Sequence, residues 1–200
     1  MKRGFTFLVA FVLFAAIEGN AQIQKGNVLI GADLADINLG LDKGGNFSFL
    51  INPKAAWFVR DNIAVGAYLT AGLRTAKDQG TDVNYGVGLL GRYYFSDASL
   101  NLLRHSRFFV EGNIGIEGDN PSVGDNTNGL GLGIGPGWTY FITPNIGVEG
   151  LLKYNGIVGF GSKPTSNNLN LSFGFQIYLP SRRARAVVED IKQDIKNPGQ

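Results

Sequence analysis

Asn168-Leu-Asn-Leu-Ser-Phe-Gly-Phe-Gln-Ile-Tyr-Leu179 alternates two kinds of residue without a break. Leu169, Leu171, Phe173, Phe175, Ile177 and Leu179 fall on one face, with Asn168, Asn170, Ser172, Gly174, Gln176 and Tyr178 on the other. Side chains of a strand point to opposite faces with period two, so this is a strand with an apolar side and a polar side. It exceeds the usual soluble strand of about 5–6 residues. Its apolar row must lie under a second sheet or against lipid, and the rest of the chain favours lipid.

The same alternation recurs upstream. Ile63, Val65, Ala67, Leu69, Ala71 and Leu73 form one row; Val83, Tyr85, Val87, Leu89, Gly91, Tyr93 and Phe95 form another. Phe108, Val110, Gly112, Ile114 and Ile116 oppose Phe109, Glu111, Asn113, Gly115 and Glu117. Leu130, Leu132, Ile134, Pro136, Trp138 and Tyr140 oppose glycines at 129, 131, 133, 135 and 137. Further rows start at Phe47 and Val148, and a less regular one runs from Val28 to Leu41, slipping phase near Leu34–Ile37 as a β-bulge would cause. Eight strands of roughly 11–14 residues result, close to the 9–11 that cross a bilayer when tilted. Tight connections at Arg60–Asn62 and Thr143–Asn145, with a longer one at Ser96–Ser106, fall at one end. Polar Gly/Asn/Asp-rich ones at Asp42–Asn46, Ala76–Asp82, Gly118–Asn128 and Gly159–Asn167 fall at the other. The fold class is therefore all-β, an eight-stranded antiparallel up-and-down transmembrane β-barrel, with its chain ends on the short-turn side.

An internal repeat supports the count. Pro53-Lys-Ala-Ala-Trp-Phe-Val-Arg-Asp-Asn-Ile-Ala-Val65 aligns with Pro136-Gly-Trp-Thr-Tyr-Phe-Ile-Thr-Pro-Asn-Ile-Gly-Val148. Aromatics at these strand ends, with Tyr93-Tyr94-Phe95, Phe108, Phe109 and Tyr178, form one level; Phe47, Tyr68, Tyr85 and Tyr154 form a second. Two aromatic levels bracketing an aliphatic band are what the two interfaces of a bilayer select.

The ends divide from the barrel. Lys2 and Arg3, a 13-residue apolar run from Phe5 to Ile17, and Glu18-Gly-Asn-Ala21 have the order of a secretory signal peptide over residues 1–21. That run is short of the roughly 20 residues of a membrane helix. The barrel takes residues 22–179. Beyond it, residues 180–200 place Ala184, Val187, Val188, Ile191 and Ile195 at helical spacing. We read them as a periplasmic amphipathic tail, either a short helix docked on the barrel mouth or a partner, or a frayed end. Without cysteine there is no disulfide framework or thiolate metal site. A net charge of +2 gives no nucleic-acid footprint. Glycine, at 29 of 200, is about twice its usual share, suiting turns and crowded strands.

At this point the sequence resembles a known family. Residues 53–66 (PKAAWFVRDNIAVG), 107–116 (RFFVEGNIGI) and 172–179 (SFGFQIYL) are similar to the small outer-membrane β-barrel domain family, the porin-like group with OmpA- and OmpX-type eight-stranded barrels. The resemblance covers about residues 22–179. It implies a cell outer-membrane location, lipid and lipopolysaccharide as surroundings, and a monomer. Ser172, Gly174, Ile177 and Leu179 also resemble the assembly signal read by the barrel-assembly machinery, though the family more often ends on an aromatic residue. The resemblance specifies architecture rather than activity. A structural, interaction or weak porin-like permeation role is expected; the alternatives are a barrel enzyme acting on lipid or protein, and a soluble exported barrel holding a ligand.

The candidate site residues are the charges on the polar face: Lys54, Arg74, Arg92, Glu111, Glu117, Glu149 and Lys153. They either line an ion pathway or form a paired ionic core. Eight strands leave an interior just wide enough for side chains to fill, and buried charges must be paired, so we read them as structural. No cofactor, metal or catalytic residue is expected. Gly131-Leu-Gly133-Ile-Gly135 lacks the following helix of a phosphate loop, and the stretch from Gly118 to Asn126 lacks a calcium-loop spacing. His105, the only histidine, reads as a solvated turn residue on the periplasmic side.

Overall fold

The computed structural model of the protein describes residues 23–39, 46–76, 80–95, 105–159 and 165–180. The predicted signal peptide and, apart from Pro180, the predicted C-terminal tail lie outside these residues. Eight strands follow in order: β1 (Val28–Leu39), β2 (Phe47–Arg60), β3 (Ile63–Ala76), β4 (Gly80–Tyr94), β5 (Ser106–Asn120), β6 (Thr127–Thr143), β7 (Ile146–Gly159) and β8 (Thr165–Leu179). Each pairs antiparallel with its sequence neighbour, and β1 pairs with β8 from Val28↔Leu179 to Leu34↔Phe173, closing the barrel. Over those residues closure leaves no sheet edge unpaired, as strands in hydrocarbon require.

The apolar rows point outward. In the stretch quoted first, Leu169, Leu171, Phe173 and Phe175 are all exposed, Phe173 by 67%. Val65 and Leu69 on β3, Val87 and Leu89 on β4, and Leu132 and Ile134 on β6 are exposed likewise. The opposite face buries Asp33, Lys54, Arg92, Glu111, Glu149 and Gln176. This inverts the usual placement of apolar and charged residues and makes sense only where the outer surface meets an apolar medium.

The two hairpins of the internal repeat share their details. Two-residue turns, Asp61-Asn62 and Pro144-Asn145, join β2 to β3 and β6 to β7. The register shifts between Phe58 and Arg60 in one hairpin and between the aligned Phe141 and Thr143 in the other. Asn62 takes a left-handed φ of 66°, which Asn tolerates better than most residues. The predicted bulge in β1 is also present, between Ala35 and Asn38, around Asp36 at φ 52°.

Three expectations need correction. The strands run from 12 to 17 residues, longer than predicted, because polar residues extend the ladders past the aliphatic band. The connection predicted over Gly118–Asn128 thereby shrinks to 121–126, with β5 reaching Asn120 and β6 starting at Thr127. The aromatic levels also split by strand parity. Trp57, Tyr93, Phe95, Phe108, Trp138 and Tyr140 face outward as an interfacial girdle, with Phe47, Tyr85 and Tyr154 at the other level. Phe58, Tyr94, Phe109 and Tyr178 are buried in the lumen, and so is Tyr68, which therefore belongs to neither girdle.

Candidate functional site

The lumen is built in three layers from the chain-terminal end. At the bottom, Phe58, Tyr94, Phe109, Phe141 and Tyr178 converge from five strands, with centroids 5.1 Å apart for Phe141–Tyr178 and 5.5 Å for Tyr94–Phe109. Ile23, before β1, packs beneath them. The segment is held by main-chain bonds from Gly26 N–H to Phe58 O and from Asn62 N–H to Ile23 O. The result is an aromatic stopper in the short-turn mouth.

The second layer is ionic. Lys54 Nζ lies 2.6 Å from Asp33 and 2.8 Å from Glu111. Arg92 bridges Glu111 at 2.6 Å and Glu149 at 2.8 Å, and Lys153 reaches Glu111 at 3.3 Å. Three cations thus face three anions in one connected chain, so the layer is formally neutral. Removing six charges from water is costly, and only mutual pairing and further hydrogen bonds offset it. Those bonds come from the stopper: Tyr178 and Thr139 hydroxyls each donate to Glu149 at 2.8 Å, and Arg92 donates to Tyr94 at 2.9 Å. The Arg92 guanidinium also stacks 4.0 Å above the Phe109 ring. Floor and network are one unit.

Above it the lumen opens into a cup of about 490 Å³. Tyr68 lies at its base, donating to Glu117, while Asn113 donates to both. Asn52, Thr70, Asn84, Asn155, Asn168 and Asn170 line the wall. Its rim carries Arg74 paired with Asp36 at 2.7 Å, Asp82 accepting from Ser122, and Asp119 accepting from Asn84 and Ser166. The inner glycines of β6 make the space for this filling. A Cβ at Gly137 would meet the Phe109 ring at 2.2 Å, and one at Gly131 would meet the Glu117 carboxyl carbon at 2.3 Å.

Five of the seven sequence candidates, Lys54, Arg92, Glu111, Glu149 and Lys153, come together in the ionic layer. Glu117 stands apart, bonded to Tyr68 and Asn113, and Arg74 lies at the rim with its side chain 57% exposed. Sequence reading missed Asp33, which lies in the strand with slipped phase; counting the inner row back from the bulge through Ala35 would have found it. It also missed Tyr94, Thr139 and Tyr178 as network members, because aromatic strand ends suggest an interface before a lumen. In the predicted assembly signal, Ser172 and Gly174 lie on the inner face and Ile177 on the outer. His105 is exposed, its ring edge-on to the outward Tyr140, while the adjacent Ser106 is buried. Among the described residues no group of three His, Cys, Asp or Glu side chains is placed to hold a metal.

No protein-family model matches the sequence, and comparison with curated proteins finds no match. Solved structures do match. Neisserial surface protein A superposes with a TM-score of 0.53 at 18% identity over 76% of this chain and 97% of its own. The fold is that of the small eight-stranded outer-membrane barrels. The N-terminal β-barrel domain of Pseudomonas aeruginosa OprF (TM-score 0.48, 17% identity, 76% and 98% covered) and the outer membrane protein OprG of the same organism (0.41, 12%, 77% and 97%) are also similar. At these identities the likeness is one of fold. The outward apolar band and the closed ladder of this chain agree with it.

Proposed function

We propose that this protein is an integral, monomeric outer-membrane barrel of a Gram-negative-type envelope with a structural or interaction role, exported by its N-terminal signal peptide and inserted by the barrel-assembly machinery. It acts without a cofactor and is not an enzyme. Its outer wall contacts membrane lipid and lipopolysaccharide. The observation that carries the role is the fused floor: among the described residues the charged groups at that level, from Asp33 through Glu111 to Glu149, are all paired, and Tyr178 is tied to Glu149. Porin-like permeation would require Arg92 to leave two carboxylates and the stopper rings to part. Eight strands give little room for that.

Two measurements test this. The mature protein is expected in the outer-membrane fraction, with gel mobility that changes on heating; if it stays in solution without detergent, the membrane reading is wrong. Refolded into planar bilayers, it is expected to show no stable conductance steps, and a reproducible open channel would restore the permeation role.

A further inference from the structure

The wall of the cup is interrupted on one side. The β1–β8 ladder stops at Leu34↔Phe173, and no residue from Thr165 to Ser172 has a partner on β1. The same stretch stays paired with β7 as far as Val158↔Thr165. The bulge of β1 is what stops the ladder. Asp36 sits there at φ 52°, its carboxylate drawn to Arg74 of β3 and its carbonyl oxygen accepting from the Ser48 hydroxyl of β2 at 2.8 Å. Both partners lie on the side away from β8, so past Ala35 the strand keeps to β2, rejoining it at Asn38↔Ser48. The Tyr178 N–H bonds Asn145 on the β7 side. By alternation Leu171, Leu169 and Asn167 therefore turn their main-chain groups toward the missing partner.

The slit lies at the level of the second aromatic girdle, where Leu169 pairs with Tyr154 and Leu39 with Phe47. Its outer lips are the exposed Ile37, Leu169 and Leu171. Behind it the cup is lined by Asn155, Asn168 and Asn170, whose amides make no side-chain hydrogen bond among the described residues. An open sheet edge at membrane depth is tolerated only where it lines a water-filled cavity. The other ways out are restricted. The ionic layer and the stopper close the cup below, and Ser166 of β8 reaches across the mouth to Asp119 of β5. A molecule suited to both sides of the slit has an apolar chain and a hydrogen-bonding head. The charged groups of the cup are already engaged: Asp36 with Arg74, Asp82 with Ser122, Glu117 with Tyr68, and Lys153 with Glu111. What remains are neutral amides, which offer donors and acceptors together and so match hydroxyl groups. We propose that the slit between β1 and β8 admits a single-chain amphiphile with an uncharged, hydroxyl-bearing head. The head lodges against Asn155, Asn168 and Asn170, and the chain passes out into the lipid. The cup's 490 Å³ lies within the range of about 300–1,000 Å³ typical of small-molecule sites. The closed floor makes this a binding site and not a route across the membrane.

The proposal rests on the membrane reading, which flotation of the protein with phosphatidylcholine vesicles checks on its own. In those vesicles the protein is irradiated with a monoacylglycerol carrying a diazirine on the acyl carbon beside the ester. The methyl ester of the same acid, which lacks the hydroxyls, is used in parallel, and adducts are mapped by mass spectrometry. The glycerol probe is expected to mark the inner-row residues Asn155, Asn168 and Asn170, and the methyl ester only the outward rows. With the diazirine moved to the far end of the chain, the glycerol probe should mark outward residues alone, because the chain leaves through the slit. Asn170→Trp fills the space behind the slit and should lose the inner-row adducts while keeping the outward ones. Heat-dependent gel mobility verifies that the variant is folded. For protein that floats with the vesicles, any of four results overturns the proposal: the first glycerol probe marks outward residues only, the methyl ester marks the inner row equally, the far-end probe marks the inner row, or folded Asn170→Trp is marked like the parent.

Discussion

The two halves of the lumen solve the same problem differently. Both are lined by charged residues inside a barrel whose outer wall is apolar. In the half nearest the chain ends, each charge meets an opposite charge, Thr139 and Tyr178 donate to Glu149, and Tyr94 accepts from Arg92. In the other half, amides and carboxylates pair locally along the wall and rim, as Asn84 does with Asp119 and Arg74 with Asp36, around open space. Stability resides in the first half. The second tolerates unpaired polar groups because water reaches it. A narrow barrel can thus be a packed core at one end and a receptacle at the other.

The sharpest way to break that contrast is to remove the hub of the closed half. Glu111→Ala leaves Lys54, Arg92 and Lys153 without their shared carboxylate, and should cost about 3–5 kcal/mol in urea titration of vesicle-reconstituted protein. A cost below 1 kcal/mol, the scale of exposed pairs, would mean that the layer is hydrated and not closed. Next in size is a charge on the outer wall: Leu152→Arg, near mid-membrane, should cost about 2–4 kcal/mol. Leu152→Ala should cost less. Ser172→Arg, directly inside, should act by crowding and charge imbalance. Equal small effects of the two Leu152 variants would contradict the lipid-facing assignment.

Smaller effects belong to the open half. Arg74→Ala removes an ion pair whose side chains are both more than half exposed, Asp36 by 52%, so the expected cost is below about 1 kcal/mol and shrinks further with salt. A loss comparable to that of Glu111→Ala would erase the distinction between the halves. The smallest expected effect is at His105. His105→Ala should change neither lipid A profiles nor peptide cleavage; a clear loss in either would make the protein an enzyme.

Much of the wall was legible in the sequence, and less of what fills it. Period-two alternation over residues 168–179 determines both the strand and the face that meets lipid, since a one-residue slip would turn every side chain over. The repeated hairpin was visible as a repeat, and its shared bulge at Phe58 and Phe141 follows from the same local residues. Which charges pair depends on stagger between distant strands: Lys54 and Glu111 are 57 positions apart, and Gln176 and Asp33 are 143 apart. No single strand encodes that stagger. Tyr68 shows the same limit. Its inner-row parity was plain in the sequence, yet its aromatic character suggested an interface, and only the convergence of Glu117 and Asn113 makes a lumen position favourable for its hydroxyl.

The half-closed lumen has a direct test, because the chain has no cysteine of its own. Single substitutions Asn168→Cys, in the cup wall, and Thr139→Cys, at the level of the stopper and 0% exposed, can each be labelled with a bulky, charged maleimide in folded protein. Full labelling of both after heat unfolding shows that each thiol is intact. The structure predicts rapid labelling at 168 and almost none at 139 while the barrel is folded. Comparable rates at the two positions would mean that the lumen is open from end to end.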